Sequence, residues 1–214
     1  MRFEKVMAKI LRIDSSSRFE GSHSRELADY FQTMWLKQHP EDKVVVRDII
    51  KTPLPHITDS TITGFYTPKE QLTPELKSAT ALSNELVEEL QSADVLLLSV
   101  PMYNFSVPSA LKAWIDQIVR IGHTFAYDGT NFTGLVTVKR AYVICAYGSS
   151  GFQAGEAFSS FNFLEPYLQG LLNFLGISQV EFFNLEGTTA DEATVAENTA
   201  KIKQTIDTAV KTNK

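Results

Sequence analysis

Ala93-Asp94-Val95-Leu96-Leu97-Leu98-Ser99-Val100, followed at once by Pro101-Met102-Tyr103-Asn104-Phe105, decides how this chain folds. The first segment is apolar almost throughout, the pattern of a strand buried on both faces of a sheet. Proline lacks the N–H that a central strand donates, so the strand is expected to stop at Val100. The next residues then form a loop at its carboxyl end, the edge where open α/β sheets bind ligands. Large, partly apolar side chains in that loop point to a flat aromatic ligand gripped by side chains and loop backbone.

Strand and helix signals alternate outward from this point. Upstream, residues 7–13 (MAKILRI) and 43–49 (KVVVRDI) read as strands. Residues 22–37 read as a helix, because Leu27, Tyr30, Phe31, Met34 and Trp35 share one helical face. Residues 74–91 read as a second helix with Pro74 in its first turn. Residues 52–73 hold Pro53, Pro55, Pro68 and many threonines, and read as a long excursion, a lid or a partner-facing segment. Downstream, residues 108–120 read as a helix with Leu111, Trp114, Ile115, Ile118 and Val119 on one side. Residues 124–138 alternate aromatic and polar around Asp128-Gly129, a turn signal for an excursion above the sheet. Residues 140–146 and 178–185 complete the strands, and residues 163–175, stopped by Gly176, and 191–211 complete the helices. Five strands alternating with five helices predict a doubly wound, three-layer α/β/α domain over residues 1–214, with a five-stranded parallel sheet.

Composition narrows the function. The 214 residues are 43% hydrophobic and carry a formal net charge of −5, which argues against a nucleic-acid surface. Cys145 is the single cysteine, so no intrachain disulfide can form, and its place inside a buried strand suits a packed thiol better than a nucleophile. The amino terminus, MRFEKVMAKI, has no long apolar run, and no segment approaches a membrane span; a cytoplasmic protein with no membrane partner is expected. His23, His39, His56 and His123 show no zinc spacing, so no metal is expected. The sequence has no Walker loop, no G-x-G-x-x-G after the first strand and no G-x-S-x-G elbow. Lys201, Lys203 and Lys211 read as a solvated face of the last helix.

Two loops then stand out. Residues 14–25 join the first strand to the first helix and offer Ser16, Ser22, His23 and Ser24 together with two arginines. A helix start with hydroxyls and unsatisfied N–H groups favours a phosphate; the same serines could equally serve as helix caps. In the second loop Met102, Tyr103 and Phe105 offer stacking and polarisable contact, and Asn104 offers an amide able to read ring oxygens and nitrogens. The alternative is that Tyr103 and Phe105 are core residues beneath the loop.

The motif Pro101-Met102-Tyr103-Asn104-Phe105, followed by Leu111-Lys112, Asp116 and Gly122-His123-Thr124-Phe125, resembles the FMN-dependent NADH azoreductases, also called FMN-dependent NADH:quinone oxidoreductases. Ser15-Ser16, Ser22-His23-Ser24, Leu27-Ala28-Asp29-Tyr30-Phe31, Gly134-Leu135-Val136-Thr137, Pro166-Tyr167-Leu168 and Phe174-Leu175-Gly176-Ile177 extend the resemblance, in the family's order, over nearly the whole chain. It implies a flavodoxin-like homodimer with one FMN per subunit and sites at the dimer interface. It also implies NADH as donor and ping-pong reduction of quinones and aromatic azo compounds, with chemistry carried by FMN rather than by a catalytic side chain. Cofactor contacts carry over to Ser16, Ser22, His23, Ser24, Met102, Tyr103, Asn104 and Phe105. A Ser-Arg-Gly-Gly-like loop of the family falls on Ala146-Tyr147-Gly148-Ser149, where Gly148 alone keeps the pattern; backbone N–H donation is expected to survive there. Phe125 and Tyr127 form either an aromatic wall of a substrate pocket or the packing of a hairpin. A flavodoxin-like FMN electron carrier, an NADPH-preferring quinone reductase and a flavin-free binding module are the rival readings.

Overall fold

A computed structural model describes residues 7–212; the first six residues of the amino-terminal reading lie outside the described residues. The main sheet has five parallel strands in the order β2-β1-β3-β6-β7: β1 Lys9–Asp14, β2 Lys43–Asp48, β3 Val95–Pro101, β6 Arg140–Ala146 and β7 Gln179–Leu185. All loops that leave these strands at their carboxyl ends therefore share one edge. The change of winding direction falls between β1 and β3, which opens a crevice there.

Helices cover both faces. On one, α1 (His23–Gln38) and α6 (Glu192–Thr212) bury Leu27, Phe31, Ile206 and Val210 against Ile10, Leu97, Tyr142 and Phe183. On the other, α3 (Pro74–Gln91), α4 (Ser109–Ile118) and α5 (Glu165–Phe174) bury Leu86, Leu90, Trp114, Ile118, Leu168 and Leu172 against Leu11, Leu96, Leu98 and Val143. Burying side chains on both faces requires the continuous apolar runs seen in β3 and β6.

Four differences from the sequence reading have physical causes. First, β3 does not stop at Val100; Pro101 pairs with Ala146, and the next residue continues the ladder through Met102 N–H to Ala146 C=O at 2.8 Å. Backbone groups alternate sides along a strand, and Ser99 C=O faces β1, where it accepts from Ser15 N–H. The missing N–H of Pro101 thus falls on the side where β1 has already ended. Second, the excursion over residues 52–73 contains α2 (Asp59–Tyr66) and a short 3₁₀ turn, Lys69–Gln71. A reciprocal capping box between Thr58 and Thr61 starts α2. Gly64 lies so close to Thr80 of α3 that an added Cβ would sit 2.5 Å from the threonine methyl. Third, the α-helices among the described residues therefore number six, not five. Fourth, Lys203 is half-buried, its ammonium 5.0 Å from the centre of the Tyr30 ring, while Lys201 pairs with Glu197 in solvent.

Residues 124–138 do form an antiparallel hairpin, β4 (Phe125–Tyr127) with β5 (Phe132–Gly134). It docks on the end of α5, where Val136 N–H donates to Leu175 C=O and Gly134 and Gly176 cross backbone to backbone. Side chains at that crossing would collide, which is why both positions are glycine. The end of α5 precedes β7, so the hairpin lies at the amino-terminal edge of the sheet, opposite the crevice.

Candidate functional site

The crevice between the ends of β1, β3 and β6 is a cleft of about 200 Å³ lined by Ser16, Arg18, Ser22 to Ser24, Pro101 to Tyr103, Ala146, Gly148, Thr188 and Thr189. One end of it is built by the start of α1. Ser22 occupies the N-cap position and is buried, yet its side chain makes no capping hydrogen bond. The Ser24 hydroxyl is buried and has no partner among the described residues. Serine at a helix start ordinarily uses its oxygen on the helix N–H groups; here both hydroxyls are withheld. An orphaned buried hydroxyl costs stability, so a ligand oxygen is the natural partner.

The loop itself is held from below. Register pairing sets Asp14 beside Asp48 at the ends of β1 and β2, two carboxylates that would repel each other. Two buried arginines neutralise them. Arg12 grips Asp14 with two hydrogen bonds of 2.9 and 3.0 Å. Arg25 grips Asp48 at 2.7 and 3.1 Å and also donates at 3.2 and 2.8 Å to the carbonyl of Ser16. Burial raises the Asp48 carboxyl, but the Arg25 guanidinium and the N–H groups of Lys51 and Ile50 outweigh it and hold it at about 2.

The second wall is a tight turn. Tyr103 and Ser106 exchange backbone hydrogen bonds of 3.0 and 3.1 Å, with Asn104 at φ 48° and Phe105 at φ 70°. Two consecutive left-handed residues are the geometry of a type I′ turn, natural for asparagine and strained for phenylalanine. Among the described residues the N–H groups of Asn104 and Phe105 have no hydrogen-bond partner, and both residues are exposed. The Tyr103 hydroxyl accepts from Ser17 N–H at 3.3 Å and so ties this turn to the first loop. Beyond Tyr103 a second, more open cavity of about 530 Å³ continues along Asn104, Val107, Lys112 and Tyr167. The Phe105 ring leans on Phe161 at 5.4 Å rather than entering the core.

The third loop differs from the sequence expectation. Ala146 and Gly148 line the cleft, whereas Ser149 does not. The Tyr147 side chain is fully buried, stacked 5.5 Å from Phe152, and its N–H is spent on Leu185 C=O. Burial holds its hydroxyl well above the ordinary tyrosine range. Tyr147 therefore offers no free donor to the cleft; the backbone donation expected there is left to Gly148. Sequence reasoning missed Thr188 and Thr189, which follow β7 and clamp the carbonyls of Tyr147 and Gly148 with hydrogen bonds of 2.9 to 3.0 Å. Position just past a strand's carboxyl end was the signal available for them. Phe125 and Tyr127 pack with Phe132 of the hairpin, and Phe125 with Phe174 of α5, away from the cleft of their own chain. Cys145 is buried, and burial pushes its thiol far above the ordinary range.

Residues 8–209 match the family model described as the flavodoxin-like fold. The "FMN-dependent NADH:quinone oxidoreductase" of Xanthobacter autotrophicus is 49% identical over 175 residues, covering 82% of this chain and 84% of that protein. The chain belongs to the FMN-dependent NADH:quinone oxidoreductase family. The member from Hydrogenovibrio crunogenus is 42% identical over 200 residues, covering 94% of this chain and 98% of its own. Among solved structures, an azoreductase from Bacillus anthracis aligns with a TM-score of 0.87 at 24% identity, over 95% of this chain and 99% of that one. An FMN-dependent NADH-azoreductase from the same species, in complex with FMN, aligns at 0.84 and 22%, over 95% of this chain and 98% of that one. These two show that the oxidoreductase shares their fold.

Proposed function

We infer that this protein is an FMN-dependent oxidoreductase that draws electrons from NADH and reduces quinones and aromatic azo compounds. The observation that carries the reading is the combination of withheld hydroxyls at Ser22 and Ser24 in the cleft with unspent N–H groups at Asn104 and Phe105 on the turn that follows its Tyr103 wall. Such donors suit FMN at both ends, its phosphate at the start of α1 and its ring against Tyr103. The chemistry FMN supplies when bound is two-electron transfer between NADH and an acceptor.

The chain's own residues bind and orient. Ser22 and Ser24, the N–H groups of His23 and Ser24, and Arg18 would hold the phosphate, where the start of α1 adds a favourable dipole. Ser16 and Gly148 would flank the middle of the cofactor. Met102 and Tyr103 would cover one side of the ring, and the N–H groups of Asn104 and Phe105 would stabilise negative charge that develops on it. No side chain need form a covalent bond.

A homodimer with sites at the interface completes the proposal. Tyr127 and Phe132 are 48% and 60% exposed on the hairpin, and Phe105 is 47% exposed beside the cleft. Because the hairpin lies at the far edge of its own sheet, any wall that Phe125 and Tyr127 add to the cleft must belong to a second copy.

A visible spectrum of the purified protein tests the reading. An oxidised-flavin band should stay with the protein after free FMN is removed by gel filtration and bleach under anaerobic NADH, with steady NADH oxidation when a small quinone is added. No retained flavin after that step, or reduction without turnover of a small quinone, would refute the enzyme reading, the latter in favour of an electron carrier. Faster bleaching by NADPH would reassign the donor. Asn104→Ala should weaken flavin retention more than His39→Ala; equal retention would count against the assigned turn.

A further inference from the structure

A third cavity lies between α2, α3 and the turn after α4, and the proposed reaction makes no use of it. It measures about 550 Å³ and includes Phe65, Leu72, Val87, Asn84 and Arg120 in its lining. Arg120 is 5% exposed. One terminal nitrogen, Nη1, donates to Ser83 Oγ at 3.1 Å and Asn84 Oδ1 at 2.6 Å, and Nη2 lies 3.3 Å from His123 Nε2. The Phe65 ring covers the guanidinium 4.4 Å away. Its Nε is buried without a partner, and among the described residues no carboxylate pairs with it.

Arginine keeps its charge in proteins, so this is a buried cation whose protein partners are all neutral. The remaining titratable groups in the lining do not compensate it. Lys69 and Lys77 are cationic, Glu88 is the one carboxylate, and all three are exposed. Burial, and then the nearby Arg120 charge, holds the His123 imidazole below its ordinary range, so it stays neutral near pH 7. Nε–H and one N–H of Nη2 share an edge of the guanidinium, a fork of the kind that matches two carboxylate oxygens. Phe65, Leu72 and Val87 add apolar wall, which favours an acid with a hydrocarbon body over a bare inorganic ion.

We propose that this cavity binds a small organic carboxylate, with Arg120 as anchor and Lys69 and Lys77 drawing the anion in. Calorimetric titration of the FMN-loaded protein with benzoate, benzamide and inorganic phosphate tests it. Benzoate should bind once per chain, and its neutral isostere benzamide should bind at least about tenfold more weakly. Asn84→Asp, which gives Arg120 a carboxylate of its own, should weaken benzoate about tenfold or more. Lys77→Ala should weaken it about twofold to threefold. No binding at millimolar benzoate, equal binding of benzamide, or unchanged affinity in Asn84→Asp would overturn the proposal. So would a benzoate-induced shift of the flavin spectrum that a quinone abolishes, since that places benzoate in the other cleft. Phosphate binding more tightly than benzoate would overturn the carboxylate assignment.

Discussion

Arg25 and Arg120 are both buried, 9% and 5% exposed, and they serve opposite arrangements. Arg25 sits where β1 and β2 end, between Asp14 and Asp48, and every one of its nitrogens has an oxygen partner. Arg120 sits past α4 with Ser83, Asn84 and His123 around it and an unpartnered Nε. The first is a closed network that spends its charge on holding a loop. The second is surrounded by neutral partners and lines a cavity. The difference shows that burial alone does not say what an arginine is for; the net charge of its companions does.

The strongest way to break this contrast is to remove the closed network's cation. Arg25→Ala leaves Asp48 without its buried arginine beside Asp14, which keeps Arg12, and frees the Ser16 carbonyl; loss of one partner of a buried pair costs about 3–5 kcal/mol. Denaturant unfolding should show that loss together with poorer flavin retention. A stability change like that of an exposed arginine would mean the network is not closed.

Acid sharpens the same comparison. The folded Asp48 carboxyl is held at about 2, below the ordinary carboxylate range. A group depressed on folding contributes stability that is fully present above the unfolded value, near pH 4, and that disappears as pH falls through about 2. The contribution is about 2 kcal/mol. Thermal unfolding between pH 5 and 2 should therefore show a steeper acid decline in the parent protein than in Asp48→Asn. Parallel profiles would show that Arg25 does not hold Asp48 as described. Arg120, which pairs with no carboxylate among the described residues, should contribute no such step.

The smallest effect concerns the turn that faces the cleft. Alanine normally outranks glycine in folded chains, but at φ 70° the order should invert. Phe105→Gly should be more stable than Phe105→Ala by about 1 kcal/mol, since both lose the ring and only glycine relaxes the backbone. The usual order, alanine above glycine, would show that the turn is not held left-handed in solution.

Much of this architecture is legible in the sequence because it depends on local patterning. Apolar runs in β3 and β6 and the spacing of Leu27, Tyr30, Phe31, Met34 and Trp35 place strands and helices within a few residues, and Asp128-Gly129 marks the hairpin. Among the cleft residues, Ser16, Ser22, His23, Ser24, Met102 and Tyr103 are legible from loops that follow strand ends, whereas Ala146 and Gly148 come from the family resemblance. The helix α2 is not legible, because threonine and isoleucine have modest helix propensity and its capping box uses Thr61 where glutamate or glutamine is usual.

Sequence by itself determined that a parallel sheet would present loops at one edge, since alternating buried strands and amphipathic helices have few other ways to hide their apolar faces. Tertiary structure decided what each loop residue does there. Pro101 can remain in β3 because β1 has ended beside it, Tyr147 turns into the core because Phe152 waits there, and Arg25 reaches Asp48 because two strands run in register. Each of these outcomes depends on a neighbour distant in the chain, and a hydrogen bond or ring contact exists only once folding has brought that neighbour within reach.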